Sequence, residues 1–435
     1  MKKFLSLAVA LTAGTLLAAP AEFKAIGDWS VEVTFNGKTS VVKAAPPIVK
    51  VVENERHDAL QNFNGNAGGW GAGTRLDAVI SMECSTYGGY QKGTLVVKSS
   101  DGADAVVYQN GVDYKLLEDW GALGRLPEGN IPENQPVFFD YAYCLHRIDS
   151  IVRDKAGEFV LRLGVPDSST PVPPALQEGD VRLGNLWIKA GLQELTDEQL
   201  FPILETAFPD ELRVAPGTAQ KLLPKTLAKL QKGETLRILA WGDSVTVGTF
   251  LPDYLNHRWQ EQFVAWLREQ YPQADIQLET VAWGGRNTDS FLNEPAGSEY
   301  NYAEKVLGSK ADLIISEFIN DAWFPKEKTY QNYGKFLKDF AEIGAEWIIL
   351  TPHYIRPDMM ALTTEKGIDV DTREYVHAIR QFAAENGIAV ADASLRWGRL
   401  WRQGIPYSSL MTNNINHPNI AGMTPFVEAL KDIFR

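Results

Sequence analysis

A chain of 435 residues with 45% apolar side chains can bury more than one core, and its length favours two domains. The formal net charge of −13 argues against a surface that neutralises phosphates or lies on anionic lipid, so nucleic acid is not an expected partner. Only two cysteines occur, Cys84 and Cys144, and both pairing and two separate thiols remain open.

Residues 1–21 read as a secretory signal. Lys2 and Lys3 precede an apolar run over residues 4–18, and the small residues Ala19 and Ala21 flank Pro20. The run is shorter than the roughly 20 residues a spanning helix needs, and Thr12 and Gly14 interrupt it. The expectation is an exported protein, periplasmic or secreted, with no stable membrane insertion once the signal is removed.

From residue 22 to 208 short stretches alternate apolar and polar residues, as at 29–35, 94–98 and 159–165, separated by Asn36-Gly37, Asp101-Gly102 and Asn110-Gly111. Period-two alternation with such turns predicts an antiparallel β domain, sandwich-like. Residues 209–235 read as a linker with a helix over 216–230, Leu222, Leu223, Leu227 and Leu230 lying on one side and Gly233 closing it. From 236 to 435 apolar strands at 237–241, 276–283, 312–318, 347–350 and 388–391 alternate with helical stretches at 330–343, 372–385 and 422–434. That alternation predicts a parallel sheet covered on both faces, whose chemistry gathers at the carboxyl ends of the strands.

Four groups fall at those ends. Ser244 follows the first strand, Gly284-Gly285-Arg286-Asn287 the second and Asn320-Asp321 the third, while His417 lies beyond the fifth. Acyl transfer from an ester needs a nucleophilic oxygen, a base, and donors aimed at the developing oxyanion. Ser244 at a strand-to-helix turn supplies the first, and its N–H lies where negative charge is favoured. Gly285 permits close backbone approach, Asn320 brings a neutral amide donor, and His417 can act as base and then acid.

Gly242-Asp243-Ser244, Gly285, Asn320-Asp321 and His417-Pro418-Asn419, in this order, resemble the four blocks of the SGNH, or GDSL, hydrolase superfamily. The resemblance covers residues 236–435 and does not extend to the β domain. It implies a flavodoxin-like three-layer α/β/α fold, with Ser244 as nucleophile and backbone donor, Gly285 and Asn320 as further oxyanion donors, and His417 as base. Gly285-Arg286-Asn287-Thr288 is also similar to the second block of pectin-side-chain acetylesterases in that superfamily, which points to acetylated carbohydrate as the substrate partner.

Two positions depart from the family pattern. Phe318 stands where the third block usually has Gly, and is read as core. Asn414 stands three residues before the His, where an Asp would hold the imidazole tautomer and stabilise the imidazolium. An Asn carbonyl can do only the first. The ring can instead be oriented by Asn414, or by another acid such as Asp392 after the fifth strand, or the site can be impaired.

Among the remaining residues, Arg286 is a candidate for a sugar hydroxyl or carboxylate, or for an ion pair with Asp289. Trp323 is a candidate sugar platform and His353, after the fourth strand, a candidate substrate contact. His57, His146 and His377 lack metal-ligand spacing, so neither a catalytic metal nor a cofactor is expected. The expected function is an exported serine esterase removing O-acetyl groups from a polysaccharide or oligosaccharide. The alternatives are a lipid or aryl esterase, a sugar O-acetyltransferase, or a non-catalytic carbohydrate-binding protein with a decayed site. Oligomeric state is left open.

Overall fold

The computed structural model describes residues 19–435, so most of the signal segment, residues 1–18, lies outside the described residues. Among the described residues no helix is long and apolar enough to cross a membrane.

Five strands form one parallel sheet: Thr235–Gly242, Asp275–Ala282, Leu313–Glu317, Glu346–Leu350 and Ala389–Ala391, here called first to fifth. Their spatial order is second, first, third, fourth, fifth, the flavodoxin-like order of a doubly wound sheet. Successive side chains of a strand point to opposite faces, and the first strand shows the result. Leu236, Ile238 and Ala240 enter a core with helices Trp259–Gln270 and Ile420–Phe434. Leu239 and Trp241 enter a second core with helices Thr288–Asn293, Lys326–Ile343 and Glu374–Asn386. The layers are therefore α/β/α. The expected helix at 216–230 is two helices, Thr218–Leu222 and Pro224–Lys232, because Pro224 pushes Leu223 out of helical geometry. Ala219, Leu223 and Leu230 from this segment are part of the first core.

The preceding region is antiparallel, as expected, and has two large cores beside a small cluster of Ile148, Trp187 and Phe201. In one, a sheet of Glu22–Ala25, Ser30–Phe35 and Lys38–Lys43 packs on a sheet of Phe159–Arg162, Arg147–Arg153, Val181–Ile188 and Leu200–Pro202 around Val31, Val33, Ile151 and Leu186. The other, around Val97, Leu123, Phe139 and Tyr141, is built from residues between 50 and 143. Cys84 and Cys144 are buried free thiols; Cys84 Sγ donates to the Asn413 carbonyl at 3.0 Å and Cys144 Sγ accepts from Gly191 N–H at 3.1 Å.

Many polar contacts tie this region to the parallel-sheet half. Asn185 Nδ2 donates to the Gly404 carbonyl at 2.7 Å, Trp187 Nε1 to Glu365 at 3.1 Å, and Ser81 Oγ to the Thr412 carbonyl at 2.9 Å. The last of these reaches the loop that carries His417.

Candidate active site

Ser244 begins a one-turn helix, Ser244–Val247, directly after the first strand, with Asp243 as its N-cap. The turn is tight enough to require Gly242: a Cβ there would lie 2.1 Å from Thr246 Oγ1 and 2.4 Å from the Glu317 carbonyl oxygen. The Gly284-Gly285 turn lies against Ser244, since a Cβ on Gly284 would sit 3.7 Å from Ser244 Cβ. Gly285 has φ +72°, a left-handed conformation that glycine adopts at no steric cost. Neither the Ser244 nor the Gly285 N–H has an acceptor among the described residues.

Asn320 follows the third strand on a 3-10 turn, Ile319–Trp323. Its backbone N–H and its Nδ2 both donate to Asp243 Oδ2, each at 2.9 Å, while Asp243 Oδ1 accepts from Val245 N–H at 3.1 Å. One amide proton of Asn320 is thus spent on orientation and the other has no acceptor among the described residues. Asp321 is turned the other way: its carboxylate accepts from the N–H and hydroxyl of Thr288 at 2.9 and 3.0 Å, clamping the glycine turn to the third strand. Burial pushes Asp321 up to about 8, against the lowering effect of the Thr288 bonds. Burial likewise raises Asp243 and, with the neighbouring Asp243 charge, Glu317. The sequence alone does not reach these supports; the one local signal for any of them is an Asp directly before a helix-starting Ser, the pattern of an N-cap.

His417 is buried, its ring edge-on to Phe250 at 5.0 Å between centroids, so it stands against the segment just after Ser244. Burial lowers it to about 4, so the ring is neutral at neutral pH. Its Nε2 is buried and has no hydrogen-bond partner among the described residues. Apo catalytic contacts often form only with substrate bound.

The residues proposed to orient this ring do not reach it. Asn414 has φ 59°, a left-handed conformation Asn tolerates, and this turns its amide away to donate to the Ser168 carbonyl at 2.9 Å. Asp392 caps the helix Ala393–Gly398 and is held by Arg380 through two bonds of 2.9 and 2.8 Å. Asn413 is the side chain at the ring, with Nδ2 at 2.8 Å from His417 Nδ1. Its Oδ1 is occupied by the N–H groups of Ile415, Asn416 and His417 at 3.0–3.1 Å, which fixes the amide orientation. The same Nδ2 donates to Glu83 Oε1 at 2.8 Å. Neither residue was legible beforehand, since Asn413 sits one place off the expected spacing and Glu83 lies in the other half of the chain.

His353 is fully buried and its Nε2 bonds the Asn416 carbonyl at 2.7 Å, so it braces the His417 loop and does not face substrate. Phe318 is core, packed edge-on against Trp241 at 4.8 Å. Arg286 is exposed and lies over the Trp283 ring at 5.1 Å; Asp289 pairs instead with Lys328. Trp283 in turn stacks on Tyr300 at 4.5 Å. Trp323 is 69% exposed, three residues after Asn320. Away from the site, Glu55, His57 and Asp77 bring ligand-type atoms within 4.8 Å of one another. Internal hydrogen bonds account for the cluster, since Glu55 accepts from Asp77 N–H at 3.0 Å and contacts His57 Nε2 at 2.8 Å.

Residues 240–424 match the model of the GDSL-like lipase/acylhydrolase family. No match is found among curated proteins. Similar solved structures include a two-domain esterase active on acetylated mannans, with TM-score 0.39 and 17% identity over 49% of this chain and 52% of that one. The chain therefore spans about half the length of that protein. Others are an acetyl xylan esterase of Geobacillus stearothermophilus (TM-score 0.36, 20% identity, 46% of this chain and 94% of that) and a G-D-S-L family lipolytic protein of Veillonella parvula (TM-score 0.35, 19% identity, 46% and 98%).

Proposed function

Because residues 240–424 carry a GDSL-like lipase/acylhydrolase domain, we propose that this chain is an exported serine esterase that removes O-acetyl groups from a polysaccharide or oligosaccharide. The observation that supports the reading is that three donors stand just after the first, second and third strands without a partner among the described residues, the N–H groups of Ser244 and Gly285 and the second amide proton of Asn320. Backbone N–H groups held this way stabilise charge that appears only in the transition state.

In the reaction, the Ser244 hydroxyl proton passes to His417 Nε2 as Oγ bonds the acetyl carbonyl carbon, and the carbonyl electron pair moves onto an oxyanion facing the three donors. Collapse breaks the ester C–O bond, the His417 proton goes to the departing sugar oxygen, and an acetyl-Ser244 remains. Water then gives a proton to His417 as its oxygen bonds the acetyl carbon, the bond from that carbon to Ser244 Oγ breaks, and the His417 proton returns to Oγ as acetic acid leaves and ionises to acetate. The ring of His417 is neutral, the charge this first step requires.

Exposed Arg286, over the Trp283–Tyr300 stack, follows Gly285 directly and exposed Trp323 stands three residues after Asn320, and flat aromatic and guanidinium faces suit sugar rings. The test is acetate release from acetylated xylan, mannan and pectin compared with a long-chain ester, together with fluorophosphonate labelling. Ser244→Ala should abolish hydrolysis and labelling. Preference for the long chain would refute the carbohydrate assignment, and unchanged labelling of the variant would refute the nucleophile.

A further inference from the structure

Resting on that reading of Ser244 and His417, we infer that Glu83, carried by the antiparallel half of the chain, is the positioning acid of His417. It accepts a hydrogen bond from Nδ1–H and stabilises the positive charge that appears on the ring when Ser244 is deprotonated.

The need for such an acceptor follows from the ring's surroundings. To take the Ser244 proton on Nε2, the imidazole must carry its own proton on Nδ1, and a buried N–H requires an acceptor. Asn414 and Asp392 are engaged elsewhere. Asn413 cannot serve, because its oxygen is held by three backbone N–H groups and only its NH₂ faces the ring. A donor against Nδ1 favours the tautomer with the proton on Nε2, which is the unproductive one.

Glu83 is the carboxylate within reach. Its Oε1 lies 4.0 Å from His417 Nδ1, and its Oε2 is buried with no hydrogen-bond partner. His417 Nε2 is the matching orphan on the other side of the ring. Both ring nitrogens gain a partner if the carboxylate closes on Nδ1 while Nε2 faces the Ser244 hydroxyl, with Asn413 Nδ2 keeping its 3.0 Å bond to Asn416 Oδ1. The delivery is firm on both sides. Glu83 lies in the tight connection between the paired strands Ile80–Ser81 and Cys84–Ser85, and Ser81 Oγ and Cys84 Sγ each bond a carbonyl of the His417 loop, those of Thr412 and Asn413. The antiparallel half thus supplies what position 414 lacks.

The test uses the full chain with Glu83→Gln, which keeps shape and an oxygen for Asn413 but cannot neutralise an imidazolium, and Glu83→Asp, which keeps the charge. Turnover of 4-nitrophenyl acetate, fluorophosphonate labelling and the low-field proton resonance of the His417 Nδ1–H are measured. The expected result for Glu83→Gln is a fall in kcat of at least about 10²-fold with KM within about twofold, and loss of the low-field resonance. Glu83→Asp should restore at least about tenfold of the lost turnover. The inference is overturned if Glu83→Gln turns over within about twofold of the wild type, if the resonance survives in it, or if Glu83→Asp is no better than Glu83→Gln. In those cases the wild type still hydrolyses and labels, so the esterase reading stands; a wild type that does neither overturns both.

Discussion

Asp243 grips Asn320 by two hydrogen bonds to one carboxylate oxygen, from the backbone N–H and from the side-chain amide, each 2.9 Å long. The grip spans two strands, for Asp243 follows the first and Asn320 the third, and it holds the amide against the residue that precedes Ser244. In the proposed mechanism the middle residue of Gly242-Asp243-Ser244 is therefore a positioning group for Asn320 as oxyanion donor.

Asn320→Ala removes that donor and should lower kcat about 10²–10³-fold with little change in KM, the magnitude usual for one oxyanion-hole group. Asp243→Asn should also lower kcat, because either orientation of the new amide sets its NH₂ against a donor, Asn320 on one side or Val245 N–H on the other. Steady-state kinetics on an aryl acetate decide the matter. An Asp243→Asn enzyme with wild-type kcat would show that Asn320 is held by other means.

Much of this half of the protein could be read in advance, since a continuous apolar strand followed by a Gly-rich or polar turn repeats from residue 236 onward and short-range pattern suffices to place each block at a strand end. What could not be read depends on long-range or conformational detail. The aim of Asn414 is set by its left-handed φ, the contact of Glu83 with the His417 loop spans 330 residues, and the split of the antiparallel region into two cores depends on which strands pair. Position 414 matched the family spacing and still pointed elsewhere, because side-chain direction follows the backbone conformation and not the count of residues.

Stability should fall as pH rises from 6.5 to 8. The buried carboxyl of Asp321 is raised to about 8, with Asp243 and Glu317 raised by the same burial. A raised carboxyl keeps its proton in the folded state when the unfolded chain has lost it, so its stabilising contribution is full below the unfolded value of about 3.9 and is lost on approach to the folded one. Burial lowers His146 and His417 to about 4 and His353 to about 3, and these oppose the trend only below the unfolded histidine value of about 6.5. Above it the carboxyls act alone. Thermal unfolding midpoints at pH 6.5 and 8 test this, and Asp321→Asn should flatten the dependence. A midpoint that is constant or rises over the window would contradict the protonated cluster.

Trp323 is where recognition of the polymer can be tested apart from the chemistry. At 69% exposure it contributes little to the core, so Trp323→Ala should change stability by no more than about 0.5 kcal/mol. Its neighbour Asn320 is held by Asp243 and not by the indole, so the oxyanion donor should stay in place and kcat on a small aryl acetate should be unchanged. A sugar ring lying on the indole face would lose contact worth about 0.5–1.5 kcal/mol, which raises KM on acetylated polysaccharide roughly 2- to 12-fold. Measuring both substrates with one enzyme preparation makes the comparison internal. Equal effects on the two would mean that Trp323 supports the site and does not bind sugar, and no effect on either would remove it from the substrate path.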